Sequence, residues 1–207
     1  MLPYRVSLPL LALLLIALAG ELAFLDWRQH QPKESPYDPI IVEVSRETGV
    51  DPFLIRALIW RESHFDALTY GLAQEHGLMQ VTPEVGEEWA RVNHIANFQP
   101  SDLFDPVTNI RAGTWYLNLA LAHWSEADDP TPFALAEYNA GRSNALKWVD
   151  PQNPQDHLAF MQRITYPTTR KYVEVIIEKR DQYHESLRHN RWYRDFENSD
   201  AASTQLP

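Results

Sequence analysis

A single carboxylate stands out for where it falls in the chain. Glu62 lies four residues after Leu58 and three after Ile59, so it continues the apolar stripe drawn by Leu54, Ile55, Leu58 and Ile59 on one helix face. An acid on an apolar face loses hydration when it ionises, and its pKa should rise. A carboxyl that keeps its proton near neutral pH can act as a general acid. The competing reading is an acid near a helix end that escapes into water, because shifted carboxyls mark sites only probabilistically. Downstream, Gly77-Leu78-Met79-Gln80 departs from the helical pattern. Gly77 permits close backbone approach there, and Gln80 offers both a donor and an acceptor. Of the eight histidines, His64, His76 and His94 show no ligand spacing. They read as solvated or packed side chains, and no metal site is expected.

These residues need helices to hold them. Asp51 can cap the helix that carries Glu62, and Pro52 suits its first position. Asp38-Pro39 repeats that start chemistry; Ile40, Ile41 and Val44 give the helix an inner face, and Gly49 stops it. Residues 66–76 read as a loop with room for a short β-hairpin. Thr82-Pro83 opens a helix into Val92, with Glu84, Glu87 and Glu88 on a solvated side. Residues 97–103 are a connection. Asp105-Pro106 starts a long helix to about Trp124, with Ile110, Gly113, Thr114, Leu117, Leu121 and Trp124 at helical spacing. Thr131-Pro132 opens a helix that ends at Gly141 and carries Tyr138 and Asn139 in its last turn. A short helix and a proline-containing loop follow, then a helix capped by Asp156 through Ile164. From Pro167 or Thr168 a last long helix places Tyr172, Val175, Ile176 and Lys179 at helical spacing. Many helices with little strand signal make a mainly α protein.

Composition narrows the classes further. The 207 residues show no internal repeat, which suggests one domain with tails. With 44% hydrophobic residues and seven Trp, the chain is not a disordered one. A formal net charge of −10 argues against a nucleic-acid partner, since no basic stripe offsets it. The absence of cysteine excludes disulfides, thiolate metal sites and a lipidated cysteine. Near the amino terminus, Arg5 precedes an apolar run from Leu8 to Ala19. Residues 1–25 therefore read either as a signal peptide, with Ala17 and Ala19 before a cleavage point at Gly20, or as a retained membrane anchor that tolerates Glu21. Arg5 and the terminal amine favour an amino terminus inside and an exported body. Residues 26–36 read as a polar, proline-containing linker. Residues 37–189 form the domain, and residues 190–207 a polar tail.

Several segments together resemble the catalytic domain of the soluble lytic transglycosylase family. They are Glu62-Ser63, Phe65, Gly77-Leu78-Met79-Gln80, Leu103-Phe104-Asp105-Pro106, Asn109-Ile110, Glu137-Tyr138-Asn139-Ala140-Gly141 and Thr169-Arg170-Lys171-Tyr172-Val173. The resemblance covers about residues 37–185, with the segments in family order. It implies a lysozyme-like, nearly all-helical fold with at most a small β-hairpin. It implies a cell-envelope enzyme that cleaves peptidoglycan glycan strands between N-acetylmuramic acid and N-acetylglucosamine, without metal or organic cofactor. Glu62 would protonate the glycosidic oxygen and then act as a base toward the muramic 6-hydroxyl, leaving a 1,6-anhydro end. Met79, Gln80, Tyr138, Asn139 and Tyr172 would contact substrate or orient the acid. Each has a plainer alternative: Met79 as core filling, the two tyrosines as buried rings whose hydroxyls find partners, and Asn139-Ala140-Gly141 as a helix end. Ser63 is expected to tie the helix end. The family's Ser and Gly-Ala before the Gly-Leu-Met-Gln turn are replaced by Gly71, Gln74 and Glu75, so the contacts of that Ser do not carry over. Glu75 offers a second carboxyl that would recruit water. Two other classes compete: a non-catalytic glycan-binding or envelope-scaffold protein, and a water-using muramidase.

Overall fold

The structure is a computed structural model that describes residues 13, 15–22, 25, 34–187 and 193. The chain divides into two compact units, Met1–Lys33 and Glu34–Pro207. In the first unit the described residues are helical. Most of the expected signal peptide or anchor, most of the linker and nearly all of the polar tail lie outside the described residues. Among the described residues, no helix is long and apolar enough to cross a membrane.

The described residues of the second unit form helices joined by turns and loops. α1 (Asp38–Thr48) ends at Gly49, whose φ of 74° is the left-handed conformation glycine adopts without strain. Its start differs from the expectation. Asp38 is the first residue inside the helix rather than its cap, and Tyr37 precedes it with no side-chain bond. The Asp38 carboxylate is buried instead, accepting from Arg56 Nε at 3.2 Å and from the Ser35 backbone N–H at 2.7 Å. The reason is electrostatic: Arg56 sits in the middle of an apolar helix and needs a counter-charge close by. Desolvation raises the Asp38 pKa, and the Arg56 charge opposes that rise.

α2 (Pro52–Ser63) is capped by Asp51, whose side chain accepts from the Phe53 N–H at 2.9 Å. Every residue from Phe53 to Ile59 is buried. A helix apolar on all sides belongs at the centre of a fold, and α2 packs extensively on α8 (Pro167–Leu187) and also on α1. α3 (Pro83–Val92) is capped by Thr82, and Glu84, Glu87 and Glu88 face solvent. The connection that follows contains a 3₁₀ turn at Pro100–Phe104. α4 (Pro106–His123) ends one residue before Trp124, which occupies the cap position. α5 (Pro130–Ala140) starts two residues earlier than Thr131-Pro132 suggested, because Asp129 accepts from the Thr131 N–H and leaves Pro130 at the first helical position. α6 (Arg142–Trp148) and α7 (His157–Arg163, capped by Asp156) complete the set before α8. On α8, Tyr172 and Ile176 are buried as expected, whereas Val175 and Lys179 are half-buried and Val173 lies in the core. Lys179 keeps this place because its ammonium rests 4.6 Å from the centre of the Trp60 ring.

α5 joins the two halves of the core. It packs on α4, α6, α7 and α8, and Phe133 stacks on Phe160 at 4.0 Å between ring centres. Among the described residues there is no sheet. The loop between α2 and α3 carries only isolated antiparallel bridges, Tyr70 with His76 and His76 with Val81.

Candidate active site

Glu62 occupies the last turn of α2, where the helix leaves the core, and it is only partly exposed. Ser63 follows, and its hydroxyl donates to the carbonyls of Leu78 at 2.8 Å and Ile59 at 3.2 Å. The end of the acid-bearing helix is thus tied directly to the Gly77–Gln80 turn. His64 and Phe65 both have positive φ, at 52° and 66°, which turns the chain sharply out of the helix.

The turn itself is held by one side chain from α4. Asn109 is fully buried. Its amide N donates to the His76 and Leu103 carbonyls, each at 2.7 Å, and its amide O accepts from the Met79 N–H at 2.7 Å. Asn109 is the acceptor for the buried Met79 N–H and adds a donor to two carbonyls, of which that of His76 also accepts from the Val81 N–H. Gly77 is required here for two reasons. Its φ is +72°, and a β-carbon would stand 2.5 Å from both the Leu103 carbonyl and the Asn109 amide N. Gly113, one turn further along α4, makes room for Met79 in the same way, since a β-carbon would lie 2.7 Å from the Met79 sulfur.

The tyrosines meet this framework from the other side. Tyr172 on α8 donates its hydroxyl hydrogen bond to Glu62 Oε1. Tyr138 on α5 donates to the Met79 carbonyl at 2.9 Å. Burial pushes both phenol pKa values well up, and the neighbouring Glu62 charge adds to the shift, so both remain donors. The Glu62 pKa is raised from its ordinary 4.5 to about 7. Desolvation drives the rise; the Tyr172 hydrogen bond and the Arg61 charge oppose it, and the Glu75 charge adds to it. Arg61 also lies over the Tyr172 ring at 5.3 Å. A protonated carboxyl near neutral pH is thereby held in one orientation by a donor that cannot easily ionise.

The other residues singled out in the sequence fall around this centre. The Met79 side chain is 0% exposed and packs on Gly113 and Thr114; its main chain is what faces Tyr138. Gln80 is partly exposed with φ 48°, and its amide N donates to the Thr69 carbonyl at 3.1 Å and the Gly77 carbonyl at 3.0 Å, tying the loop across its base. Asn139 is exposed at the end of α5, and its amide O accepts from the Thr169 hydroxyl at 2.8 Å. Glu75 accepts from the Ala73 N–H at 2.8 Å within its own loop. Two residues escaped the sequence reading. Asn109 was visible only as part of a matching segment, and nothing local marks it as the staple of the turn. Glu137, directly before Tyr138, is 2% exposed and accepts from Trp124 Nε1 at 2.7 Å, with His123 Nδ1 at 2.8 Å and Arg142 at 3.4 Å beside it. An acid in an apolar helix whose partners, His123 and Trp124, lie at the end of the preceding helix gives no periodic signal.

The helical fold, with a half-buried acid at the end of its central helix, is that of a lysozyme-like protein. The chain belongs to the transglycosylase SLT domain family, whose sequence profile matches residues 39–160. It is 26% identical over 143 residues to a soluble lytic murein transglycosylase of Salmonella typhimurium, covering 68% of this chain and 22% of that one. It is 32% identical over 135 residues to a membrane-bound lytic murein transglycosylase C of Actinobacillus succinogenes, covering 62% of this chain and 37% of that one. Among solved structures, the 70 kDa soluble lytic transglycosylase of Escherichia coli superposes with a TM-score of 0.66 at 23% identity, over 76% of this chain and 25% of that one. The lytic transglycosylase Slt of Pseudomonas aeruginosa, solved as an inactive glutamate-to-glutamine mutant, gives 0.65 at 24% identity over 71% and 24%. The chain therefore spans well under half the length of these relatives.

Proposed function

We propose that the protein is a peptidoglycan lytic transglycosylase in which Glu62 serves as acid and then as base. The observation that carries this reading is the Glu62 carboxyl itself: desolvated, raised to about 7, and held by Tyr172. Ordinary glycosidases place two carboxylates about the scissile bond. Here the carboxyl that bears on Glu62 most closely, Glu75, is engaged with its own loop backbone, which leaves one acid for both proton transfers. Glu62 protonates the oxygen between N-acetylmuramic acid and N-acetylglucosamine, and the C1–O bond breaks with its electron pair going to that oxygen. The substrate's N-acetyl group steadies the positive charge at C1. The muramic 6-hydroxyl attacks C1 and gives its proton to Glu62, closing a 1,6-anhydro ring and restoring the acid. An internal nucleophile needs neither a bound water nor a second base. Tyr172 orients the acid. Gln80, Asn139 and Tyr138 shape the sugar cleft, and the buried Met79 supports it through its main-chain bonds to Asn109 and Tyr138. No cofactor takes part.

The substrate places the enzyme in the cell envelope, exported to the periplasmic side. The exposed apolar side chains of Leu15, Ile16, Leu18 and Leu22 suit an export segment or a lipid-facing anchor. The names of the relatives, soluble in one case and membrane-bound in the other, are compatible with either. Digested peptidoglycan analysed by mass spectrometry tests the reading. Native protein is expected to leave anhydro ends only, and Glu62→Gln to leave intact strands while still folding. Reducing ends would instead support a water-using enzyme in which Glu75 participates. An absence of cleavage by the native protein would support a binding or scaffold role.

A further inference from the structure

Several arginines of the chain lie against a carboxylate: Arg56 takes Asp38, Arg111 takes Glu43 and Glu47, Arg142 takes Glu137 and Arg180 takes Asp181. Arg61 does not. It is exposed, and among the described residues it pairs with no acid. Its guanidinium lies instead over the Tyr172 ring, 5.3 Å from the ring centre. That ring is buried, and its hydroxyl donates to Glu62 Oε1. A cation, a phenol and the acid thus form one chain of contacts that closes on two neighbouring residues of α2. Arg61 is also the basic residue of the last turn of that helix. The unpaired carbonyls of a last turn carry partial negative charge, which opposes a carboxylate placed there and favours a cation.

We propose that Arg61 is a positioning residue for the reaction: it holds the Tyr172 ring against the acid and stabilises the Glu62 carboxylate that exists between the two proton transfers. The inference rests on the reading of Glu62 as acid and then base. In that reading Glu62 gives its proton to the glycosidic oxygen and stays ionised until the muramic 6-hydroxyl returns one. During that interval a negative charge sits in a desolvated place at the wrong end of a helix dipole. The charged and titratable groups that bear on it come from four places: Arg61 on its own helix, Glu75 in the loop before the turn, Tyr138 on α5 and Tyr172 on α8. Glu75 repels the charge, and the two phenols stay neutral. Arg61 is the cation of the set. A guanidinium over a ring face is attracted to it and fixes its orientation, and the same positive charge favours the carboxylate beyond the ring. No proton passes through Arg61, which remains charged throughout. Tyr172 likewise keeps its proton and only donates a hydrogen bond.

The test uses the full-length protein, Arg61→Gln, Arg61→Lys, Tyr172→Phe and the pair Arg61→Gln/Tyr172→Phe. kcat and KM on solubilised peptidoglycan are followed against pH. The Glu62 carboxyl is titrated directly by carbon-13 NMR, its signal assigned by comparison with Glu62→Gln. Arg61→Gln is expected to melt within about 2 °C of the native protein, as an exposed substitution does. It should move both the alkaline limb of kcat and the Glu62 titration upward by about half a unit. A weaker acid gives up its proton more slowly, so kcat on the plateau should fall about twofold with KM unchanged. Arg61→Lys keeps the charge and should restore most of both. Because guanidinium and hydroxyl serve one carboxylate, the paired variant should shift the titration by less than the sum of the two single shifts. A Glu62 titration that stays in place or falls, a loss confined to KM, or an Arg61→Lys no better than Arg61→Gln overturns the inference. Strictly additive shifts overturn it too, since Arg61 would then act without Tyr172. If the titration moves as expected while the native protein cleaves no glycan, the positioning stands and the enzymatic reading falls. Cleavage by the native protein with an unmoved titration leaves the enzyme standing without Arg61.

Discussion

Glu62 is pulled in opposite directions by its surroundings. Water loss raises its pKa, and the Tyr172 hydroxyl and the Arg61 charge lower it. Removing the hydroxyl should therefore raise the pKa further. A hydrogen bond to a charged group contributes about 1.5 kcal/mol or more, so Tyr172→Phe is expected to move the alkaline limb of the pH–rate profile upward by about one unit. A profile whose limb stays in place, or moves to lower pH, would show that Tyr172 does not stabilise the carboxylate. The same shift has a consequence for stability. The folded pKa of about 7 lies above the ordinary 4.5. The neutral acid therefore favours the folded state at low pH, and that advantage is lost as pH rises from about 4.5 through 7. An isosteric Glu62→Gln has no charge to desolvate. It should melt with the native protein at pH 4 and several degrees above it at pH 8, for a difference of about 2 kcal/mol after discounting partial solvation. The gain at pH 8 without turnover is the sign of an acid held against its own stability. That Glu62 continues an apolar stripe was legible in the sequence; the donor that holds it sits 110 residues away, and no local pattern reports such a pairing.

At the scale of elements, the turn beside Glu62 is held by three separate pieces of chain. Ser63 at the end of α2, Asn109 on α4 and Tyr138 on α5 all bond to the backbone of residues 76–79. Asn109→Ala would take a donor from the His76 and Leu103 carbonyls and leave the Met79 N–H buried without its acceptor, while the His76 carbonyl keeps the Val81 N–H. Its expected cost is about 3 kcal/mol, read as a fall in Tm, with activity lost in step at temperatures well below that Tm. Asn109→Asp keeps the acceptor for the Met79 N–H but loses the donor, so it should not restore the native Tm. A variant that melts normally would show that Asn109 is not the staple. Most helices were legible because each announces itself: Asp51-Pro52, Thr82-Pro83, Asp105-Pro106 and Asp156 all cap where expected. The misread starts are instructive. Asp38 has the residue type of a cap, yet the buried Arg56 recruits it. Thr131 yields the cap to Asp129, since Asp-Pro and Thr-Pro compete two residues apart. The loop at residues 66–76 forms bridges without strands, because its pairing ends at single residues around His76.

The whole molecule has a division that the chemistry does not need to cross. Residues 34–207 form one compact unit, and every contact described around Glu62 lies inside it. α2, the most enclosed helix, has its packing partners α1 and α8 in the same unit. The packing partners of that helix, the polar staples around Asn109 and the pairing of Arg56 with Asp38 all lie within residues 34–187. A protein beginning at Glu34 is therefore expected to fold with an unchanged Tm and to cleave solubilised peptidoglycan at the native rate. Its activity on cells should depend on the missing segment, because an apolar run such as Leu8–Ala19 serves to place the body at or beyond a membrane. A shortened protein that melts lower, or is inactive on soluble strands, would show that residues 1–33 complete the catalytic unit. Equal activity of both forms on intact envelope, with the native protein recovered unbound to membrane, would favour cleavage of the segment over its retention as an anchor.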